Sequence, residues 1–591
     1  MGTAVSRKKE EDGVALTDDP ATGYGATEGQ PASKEEHEQT RLFDLDPWYF
    51  KEVRELLWLG GPLIVCMLLQ FAITPISLMF CGRLTIVEFS AAALANTIIL
   101  ITGIYIGNGL TTACDTLFSQ TFGAGNNKEI GLVLQRAMLI MLLCCLPCWA
   151  LHLNTESILV LLGQEREICW LTGRYLRVFL PGLPANFLYQ VLAKYLQNQN
   201  VVAPVIVVLF VGNITNALSH YLLVFQAGLD LTGSALSQVI AQYSLLITIS
   251  LYIYISGFYK STWDGWSVLA FTDWCNFLKY AIPGMVMVVL DSLCFEIGTF
   301  ASGVLGEVVL GAQTTINQID ALFYQFLQGL AIACSIRVGQ HLGGNHAFNA
   351  HRSARTSLVI GTVVGLVSSI FIVSFRGILP EAFTTNDDIV HLSSKILPIT
   401  AVFQLASSFT SIGMGALRGC GRQTVGAAMG FVCFYVIGLP IALCLMFFTV
   451  ITLAGYWWGI AVGFICGAVF ILLYLEKQTD WDQEAKLARE RAGVNGTNVM
   501  EYTTQEVDSA PMEEGEGDSE TDDKTKLHRL PKEPVNWRKI IILRTINILM
   551  CVAVLGLSVF SHYSVTDVAG GYGTNMTLHH PGTNHSTFHG E

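Results

Sequence analysis

Thirteen apolar runs, each long enough to cross a lipid bilayer as a helix, divide this chain, and no other feature restricts its fold so strongly. A bilayer core of about 30 Å needs about 20 apolar residues in helical conformation. The runs centre near residues 67, 102, 142, 185, 212, 246, 290, 322, 364, 403, 436, 464 and 551. Short loops join the first twelve; the thirteenth, IILRTINILMCVAVLGLSVF, follows a long acidic stretch. Composition agrees, with 52% hydrophobic and 14% charged residues against about 25% charged in soluble globular proteins. The net charge of −13 argues against a nucleic-acid binder. It comes mainly from roughly the first 45 residues and from about 478 to 536, the latter holding MEEGEGDSETDDKTK. Both segments lack apolar periodicity and read as disordered.

Lysine and arginine set the orientation. Loops after even-numbered runs carry Lys128, Lys194, Lys260, Lys279, Arg337, Arg352, Arg355, Arg418 and Arg422. Those after odd-numbered runs carry only Arg83, Arg166, Arg174, Arg177 and Arg376. The N-terminus and the acidic linker are therefore expected in the cytoplasm and the C-terminus outside. Two glycosylation candidates, Asn575 and Asn584, lie in that outer tail. The sequons at Asn213 and Asn495 are expected to stay unmodified. At the other end Gly2 is a lipidation candidate, with Arg7, Lys8 and Lys9 close behind. The expected segments are a disordered tail (1–50), an N-lobe (51–259), a C-lobe (260–477), a disordered acidic linker (478–538), a thirteenth span (539–563) and an extracellular tail (564–591).

The chain repeats itself at an offset of about 221 residues. Gly82, Leu84 and Asn96 align with Gly303, Leu305 and Asn317; Gly109, Cys114, Gln120 and Gly123 align with Gly329, Cys334, Gln340 and Gly343. Each half holds six spans, so both enter the membrane from the same side. A parallel repeat related by an axis along the membrane normal is a transporter architecture, with the substrate between the lobes.

Polar residues within spans are costly and mark functional candidates. In the eighth span Gln313, Asn317, Asp320, Tyr324 and Gln328 share one helical face. That face either lines a cavity or hydrogen-bonds a neighbouring helix. In the seventh, Ser292, Glu296 and Thr299 share a face, whereas Asp291 lies about 140° around the helix from Glu296, so the two acids form no side-by-side dyad. The N-lobe offers Asn96, a stripe of Asn108, Thr112, Asp115 and Ser119, and another of Asn186, Gln190, Lys194 and Gln197. Asp115 and Lys194 fall near predicted cytoplasmic ends, where a closure ion pair or a helix cap stands beside transport chemistry. A carboxylic acid in an apolar cavity resists ionisation and can exchange its proton for a cation, the minimum needed by a proton/cation antiporter. Glu296 and Asp291 are the first candidates and Asp320 the third. Phe295, Phe323, Tyr324 and Phe326 either hold a flat organic cation by cation–π contact or simply pack. The 15 cysteines show no zinc spacing, and Cys144, Cys145 and Cys148 read as packing residues. No metal site, cofactor or catalytic constellation is expected.

The strings ACDTLFSQTFGAGN, LQRAMLIMLLCCLPCWALHLN, AIPGMVMVVLDSLCFEIG and VLGAQTTIN, in order across two six-helix halves, resemble the multidrug and toxin extrusion family over about residues 50 to 476. A thirteenth helix after a long linker resembles its vertebrate branch. The resemblance implies an all-α polytopic membrane protein: two six-helix lobes related by a pseudo-two-fold along the membrane normal, plus one C-terminal helix. It further implies an electroneutral, proton-coupled exporter of organic cations (xenobiotics and metabolites) in the plasma membrane, often the apical face of epithelia. A single copy is the expected transport unit. Glu296 matches a family acid directly, and Asp291 stands where the vertebrate proteins usually have Glu. The departures are specific. Val309, with Glu307 nearby, replaces a family Glu; Ser407 replaces the acid of the tenth span; Gln404 replaces a His; Leu327 replaces a Pro. Asp320 appears where the family is apolar, as though the acid had moved from the tenth helix to the eighth. The alternative is a flippase or exporter of an amphiphile with weak or no proton coupling. A flippase would want a basic cluster for a phosphate head group, and Lys194 is the main basic residue within the spans.

Overall fold

The computed structural model describes residues 47–494 and 552–559. Gly2, Asn575, Asn584, most of the acidic linker and most of the thirteenth span lie outside these residues. Among the described residues the chain is helical, without strands. The spans are α1 Pro47–Cys81, α2 Ile86–Gly123, α3 Asn127–Leu161, α5 Ala203–Gln226, α6 Asp230–Ile255, α7 Trp274–Val304, α8 Glu307–Gly343, α9 Ala347–Ser374, α10 Asp387–Cys420, α11 Gln423–Phe448 and α12 Thr452–Gln478. The fourth, α4, is built from two pieces, Arg166–Phe179 and Gly182–Gln197. Its interruption falls at Pro181, whose ring removes a backbone donor and fixes φ. Helix α2 opens on a capping box, in which the Thr85 side chain accepts from the Glu88 amide and the Glu88 carboxylate accepts from the Thr85 amide at 3.2 Å. A π-helical turn, Leu100–Ile104, then interrupts it.

The structure corrects the acidic linker at its start. Residues Trp481–Arg491 form a helix, α13, capped by the Asp480 side chain accepting from the Gln483 amide at 3.0 Å. Its Glu484, Ala485 and Ala488 are buried, an apolar stripe too short to stand out against the charges around it. Residues 552–559 are helical as well. There Ser558 donates to the Ala150 carbonyl of α3 at 2.8 Å and accepts from Asn154.

From Lys51 onward the described residues form one compact unit, and within it the buried side chains gather into two cores. The first runs from Leu59 to Ala281 and takes in Ile332, Ala333 and Ile336 of α8. The second runs from Met287 to Ala488. Helix α7 thus begins in the N-lobe core, with Trp274, Phe277 and Tyr280, and passes into the C-lobe core beside Pro283. The lobe boundary falls inside a helix, not in the loop before it.

Glycines show the two-fold relation directly. A Cβ on Gly123 would lie 2.0 Å from the Gln340 carbonyl oxygen, and one on Gly343 would lie 2.0 Å from the Gln120 carbonyl oxygen. Likewise Gly109 abuts the Met285 backbone and Gly329 the Ile64 backbone. Both pairs exchange partners one repeat apart. Only a residue without Cβ lets the backbones approach so closely, so the sequence repeat is also the seam between the lobes. These contacts lie along the halves of α2 and α8 nearer their C-terminal ends, the ends that the charge pattern assigns to the cytoplasm.

Candidate functional site

Helices α8 and α10 run parallel in fixed register. A Cβ on Gly415 would meet the Ala331 carbonyl oxygen at 2.3 Å, and one on Gly419 the Ser335 oxygen at 2.8 Å, a constant separation of 84 residues. The same separation sets Gln404 level with Asp320, and Ser407 about one turn further along α10. Asp320 is 7% exposed, and Gln404 and Ser407 are fully buried. Asp320 Oδ1, both amide atoms of Gln404 and Ser407 Oγ have no hydrogen-bond partner among the described residues. Buried polar atoms are nearly always paired; unpaired ones occur in both lobes, and these four, carried on neighbouring levels of α8 and α10, make up the candidate chamber.

Asp291 adjoins this chamber. Its Oδ2 accepts from the Tyr324 hydroxyl at 2.5 Å, and Tyr324 in turn accepts from Gln328. Asp291 and Asp320 lie within electrostatic range of each other, and the Arg418 guanidinium acts on Asp291. Further along the polar face of α8, Asn317 donates to Thr299 Oγ1 at 2.9 Å and Gln313 donates to Asn317 at 3.2 Å. Gln313 also accepts from Trp457 Nε1 at 2.9 Å. The face predicted on α8 therefore divides. Gln313 and Asn317 serve interhelical hydrogen bonding, Tyr324 and Gln328 orient Asp291, and Asp320 alone is left open. Glu296 is half-buried and makes no hydrogen bond or ion pair among the described residues. Phe295 packs with Phe403, Trp457 and Phe464, and Phe323 with Phe326 and Phe371.

Between α2 and α7 lies an apolar cavity of about 400 Å³, more open than enclosed, lined by Ile101, Thr102, Ile106, Met285, Val286, Val289 and Leu290. That size falls within the range of about 300–1,000 Å³ typical of small-molecule sites. Its α2 wall is the π-helical turn. Thr102 on that turn donates to the Ile98 carbonyl at 2.7 Å and contacts His152 Nε2 at 2.9 Å.

The N-lobe candidates are largely paired. Asn186 donates to Gln242 at 2.9 Å and accepts from Gln190 at 2.6 Å; Asn96 accepts from Gln238 at 2.7 Å. Asp115, wholly buried, is 2.9 Å from Lys194 Nζ and accepts from Asn198. That ion pair joins α2 to α4 inside one lobe, so it braces the lobe rather than spanning the seam. Asn108 is half-buried on the same helix. The sequon residue Asn213 is tied to the Leu69 and Leu209 carbonyls, each at 2.9 Å.

The seam itself carries polar contacts that sequence reasoning did not single out. Thr116 donates to the Arg418 carbonyl at 2.6 Å, Gln120 to the Gly419 carbonyl at 2.8 Å, and Gln423 to Thr116 at 2.6 Å. Glu52 of α1, 2% exposed, accepts from Arg337 of α8 at 2.6 and 3.1 Å and from Ser353 of α9 at 2.8 Å. Arg337 and Arg418 count as loop charges in the sequence, yet both sit in helices at the closed end.

The MatE family model matches the chain twice, over residues 62–222 and 283–444. The two matches begin 221 residues apart, the offset of the internal repeat. Multidrug and toxin extrusion protein 1 of Homo sapiens is 40% identical over 465 residues, covering 79% of this chain and 81% of that protein. Its Xenopus tropicalis namesake is 41% identical over 481 residues, covering 81% and 83%. Among solved structures, the eukaryotic MATE transporter AtDTX14 superposes with a TM-score of 0.72 at 25% identity, over 75% of this chain and 99% of that one. An outward-facing multidrug resistance MATE family transporter superposes with a TM-score of 0.67 at 17% identity, over 74% and 97%, a likeness of fold alone.

Proposed function

This chain belongs to the multidrug and toxin extrusion family, and from that premise we propose that it exports organic cations across the plasma membrane in exchange for protons, by alternating access. The observation that carries the reading is the C-lobe chamber, where a buried carboxyl beside orphaned amide and hydroxyl atoms awaits a charged or hydrogen-bonding guest. Asp291, oriented by Tyr324, and Asp320 exchange protons. Glu296, half-buried and unpaired, meets the organic cation. The apolar cavity between α2 and α7 takes its hydrocarbon part, since burying apolar surface favours binding without fixing the substrate's shape. Proton binding at Asp291 and Asp320 removes negative charge that favours a cation at Glu296 in the same lobe, so one leaves as the other arrives. The seam closed at the ends of α2 and α8 corresponds to a state shut towards the cytoplasm, with substrate released outward.

The lining of that cavity supports a second reading. Thr102 is its one polar residue, and the acid of the tenth span is replaced by Ser407. An amphiphile exported with little proton coupling would suit such walls.

Reconstituted vesicles separate the two. With an acidic interior, uptake of tetraethylammonium should rise well above the rate without a gradient, and Glu296→Gln should bring it to background. Uptake indifferent to the gradient would favour the second reading. An unchanged rate in Glu296→Gln would remove that residue from the site.

A further inference from the structure

We propose that α13 is a latch across the cytoplasmic seam and that Arg491 is its keystone. The proposal rests on the alternating-access reading above, but not on what is transported or which ion drives it. Only residues 479 and 480 separate α13 from α12, so the helix moves with the C-lobe. Its Glu484, 2% exposed, is fixed there by Arg422, whose Nε donates to Oε1 at 2.5 Å. Its far end reaches the N-lobe, where Asn126, between α2 and α3, donates to the Ala492 carbonyl at 2.9 Å.

Arg491 joins these anchorages. One terminal nitrogen donates to Gln120 Oε1 of α2 at 3.3 Å and to the Cys420 carbonyl of α10 at 3.0 Å. The other lies 3.7 Å from Glu484 Oε2, and the guanidinium sits 5.4 Å from the ring centre of Tyr280 on α7. The side chain is only 12% exposed. Gly421 makes the space for it. A Cβ there would lie 2.7 Å from the guanidinium, and its φ of 74° is the left-handed conformation that glycine adopts freely. A planar fork with five donors can hold a side-chain amide, a main-chain carbonyl and a carboxylate together, which a lysine ammonium cannot match. Tyr280 belongs to the N-lobe core and Gln120 to α2, whereas Cys420 and Glu484 belong to the C-lobe core or its helices. Opening the seam pulls these two groups apart, so Arg491 must let go before the cytoplasmic side opens.

The test uses the full chain in vesicles with a reporter at the seam. Ser119 is fully buried, and a Cβ on Gly339 of the other lobe would lie 1.9 Å from its Oγ, while its hydroxyl bonds the Asp115 and Thr116 carbonyls of its own helix and not Arg491. Ser119→Cys is near-isosteric, and its reaction with a membrane-impermeant maleimide added on the cytoplasmic side is read by peptide mass spectrometry. Adding Arg491→Ala should speed labelling about tenfold or more, the scale of losing charge-assisted hydrogen bonds. Arg491→Lys should fall between the two. If Arg491→Ala is not monodisperse, Asn126→Ala, which removes only the donor that holds the Ala492 carbonyl to the N-lobe, should also raise labelling. Labelling no faster than the parent in the folded variants overturns the latch. Because the readout needs no transport, loss of proton coupling would sink the proposed function and leave the latch standing.

Discussion

The two lobes are copies of one six-helix plan, yet they treat their buried acids in opposite ways. In the N-lobe Asn186 links Gln242 to Gln190, Gln238 donates to Asn96, and the buried acid Asp115 has its own lysine. In the C-lobe Asp320, Gln404 and Ser407 are buried at neighbouring levels with atoms left unpaired. Both halves keep the same backbone seam, but the acid of one is neutralised by a neighbour and an acid of the other is not. Unpaired buried polar atoms each cost about 1–3 kcal/mol of stability. Both lobes carry such atoms, Gln190 Oε1 and Gln197 Oε1 among them in the N-lobe, so what sets the C-lobe apart is a buried acid, Asp320, with an unpaired oxygen.

The largest expected effect breaks this comparison or makes it. Asp320→Asn should lower gradient-driven tetraethylammonium exchange about 100-fold, the scale at which a proton-transferring group acts, while Gln242→Leu in the paired N-lobe network should change it only a few-fold. Adding Ser407→Glu to Asp320→Asn returns an acid to α10 one turn from the level of Asp320, and should recover part of the lost exchange. Equal losses from Asp320→Asn and Gln242→Leu would mean that the lobes do not differ in function. A wild-type rate in Asp320→Asn would end the idea of a relocated acid.

The next effect concerns stability. Lys194→Met should destabilise the chain by about 3–5 kcal/mol, because it strands a carboxylate inside the N-lobe. Thermal unfolding in detergent measures it. A small change would show that water reaches Asp115, and the N-lobe would then be less sealed than the pairing suggests.

Much of this was legible in the sequence. The twelve spans before the acidic linker, the two halves and the face of α8 follow from apolar length, self-similarity and helical period, which are properties of the chain itself. The split of that face was not legible. Whether Gln313 bonds Trp457 or faces a cavity depends on where α12 packs, and spacing along one helix holds no record of its neighbours. Arg337 and Arg418 were misplaced for a related reason: charge counting assigns a basic residue near a span end to a loop, but these helices run on past the apolar core and bring both residues to the seam. Helix α13 was missed because Glu484, Ala485 and Ala488 give too short a stripe to signal a helix amid polar residues. The break at Pro181 had a signal, the Leu-Pro-Gly run, that membrane helices often override.

The smallest effect is the most diagnostic, because it asks for opposite signs from one substitution. Ser234 in the N-lobe contacts His220 Nε2 at 3.1 Å, Cys81 Sγ at 3.1 Å and Tyr175 at 3.4 Å. Replacing it with alanine leaves those buried groups short of a partner and should cost about 1–2 kcal/mol. Ser407 has the same burial and no partner. Ser407→Ala removes a desolvated hydroxyl that returns nothing to the folded state, so stability should stay level or rise by up to about 1 kcal/mol, measured in the same unfolding assay. Exchange should nonetheless fall a few-fold, since the hydroxyl contributes only when the chamber is occupied. A residue that costs stability at rest and is missed only in transport has no structural reason to be there. If both serines prove stabilising to the same degree, the chamber is a packed interior after all, and the asymmetry between the lobes reduces to the position of Asp320.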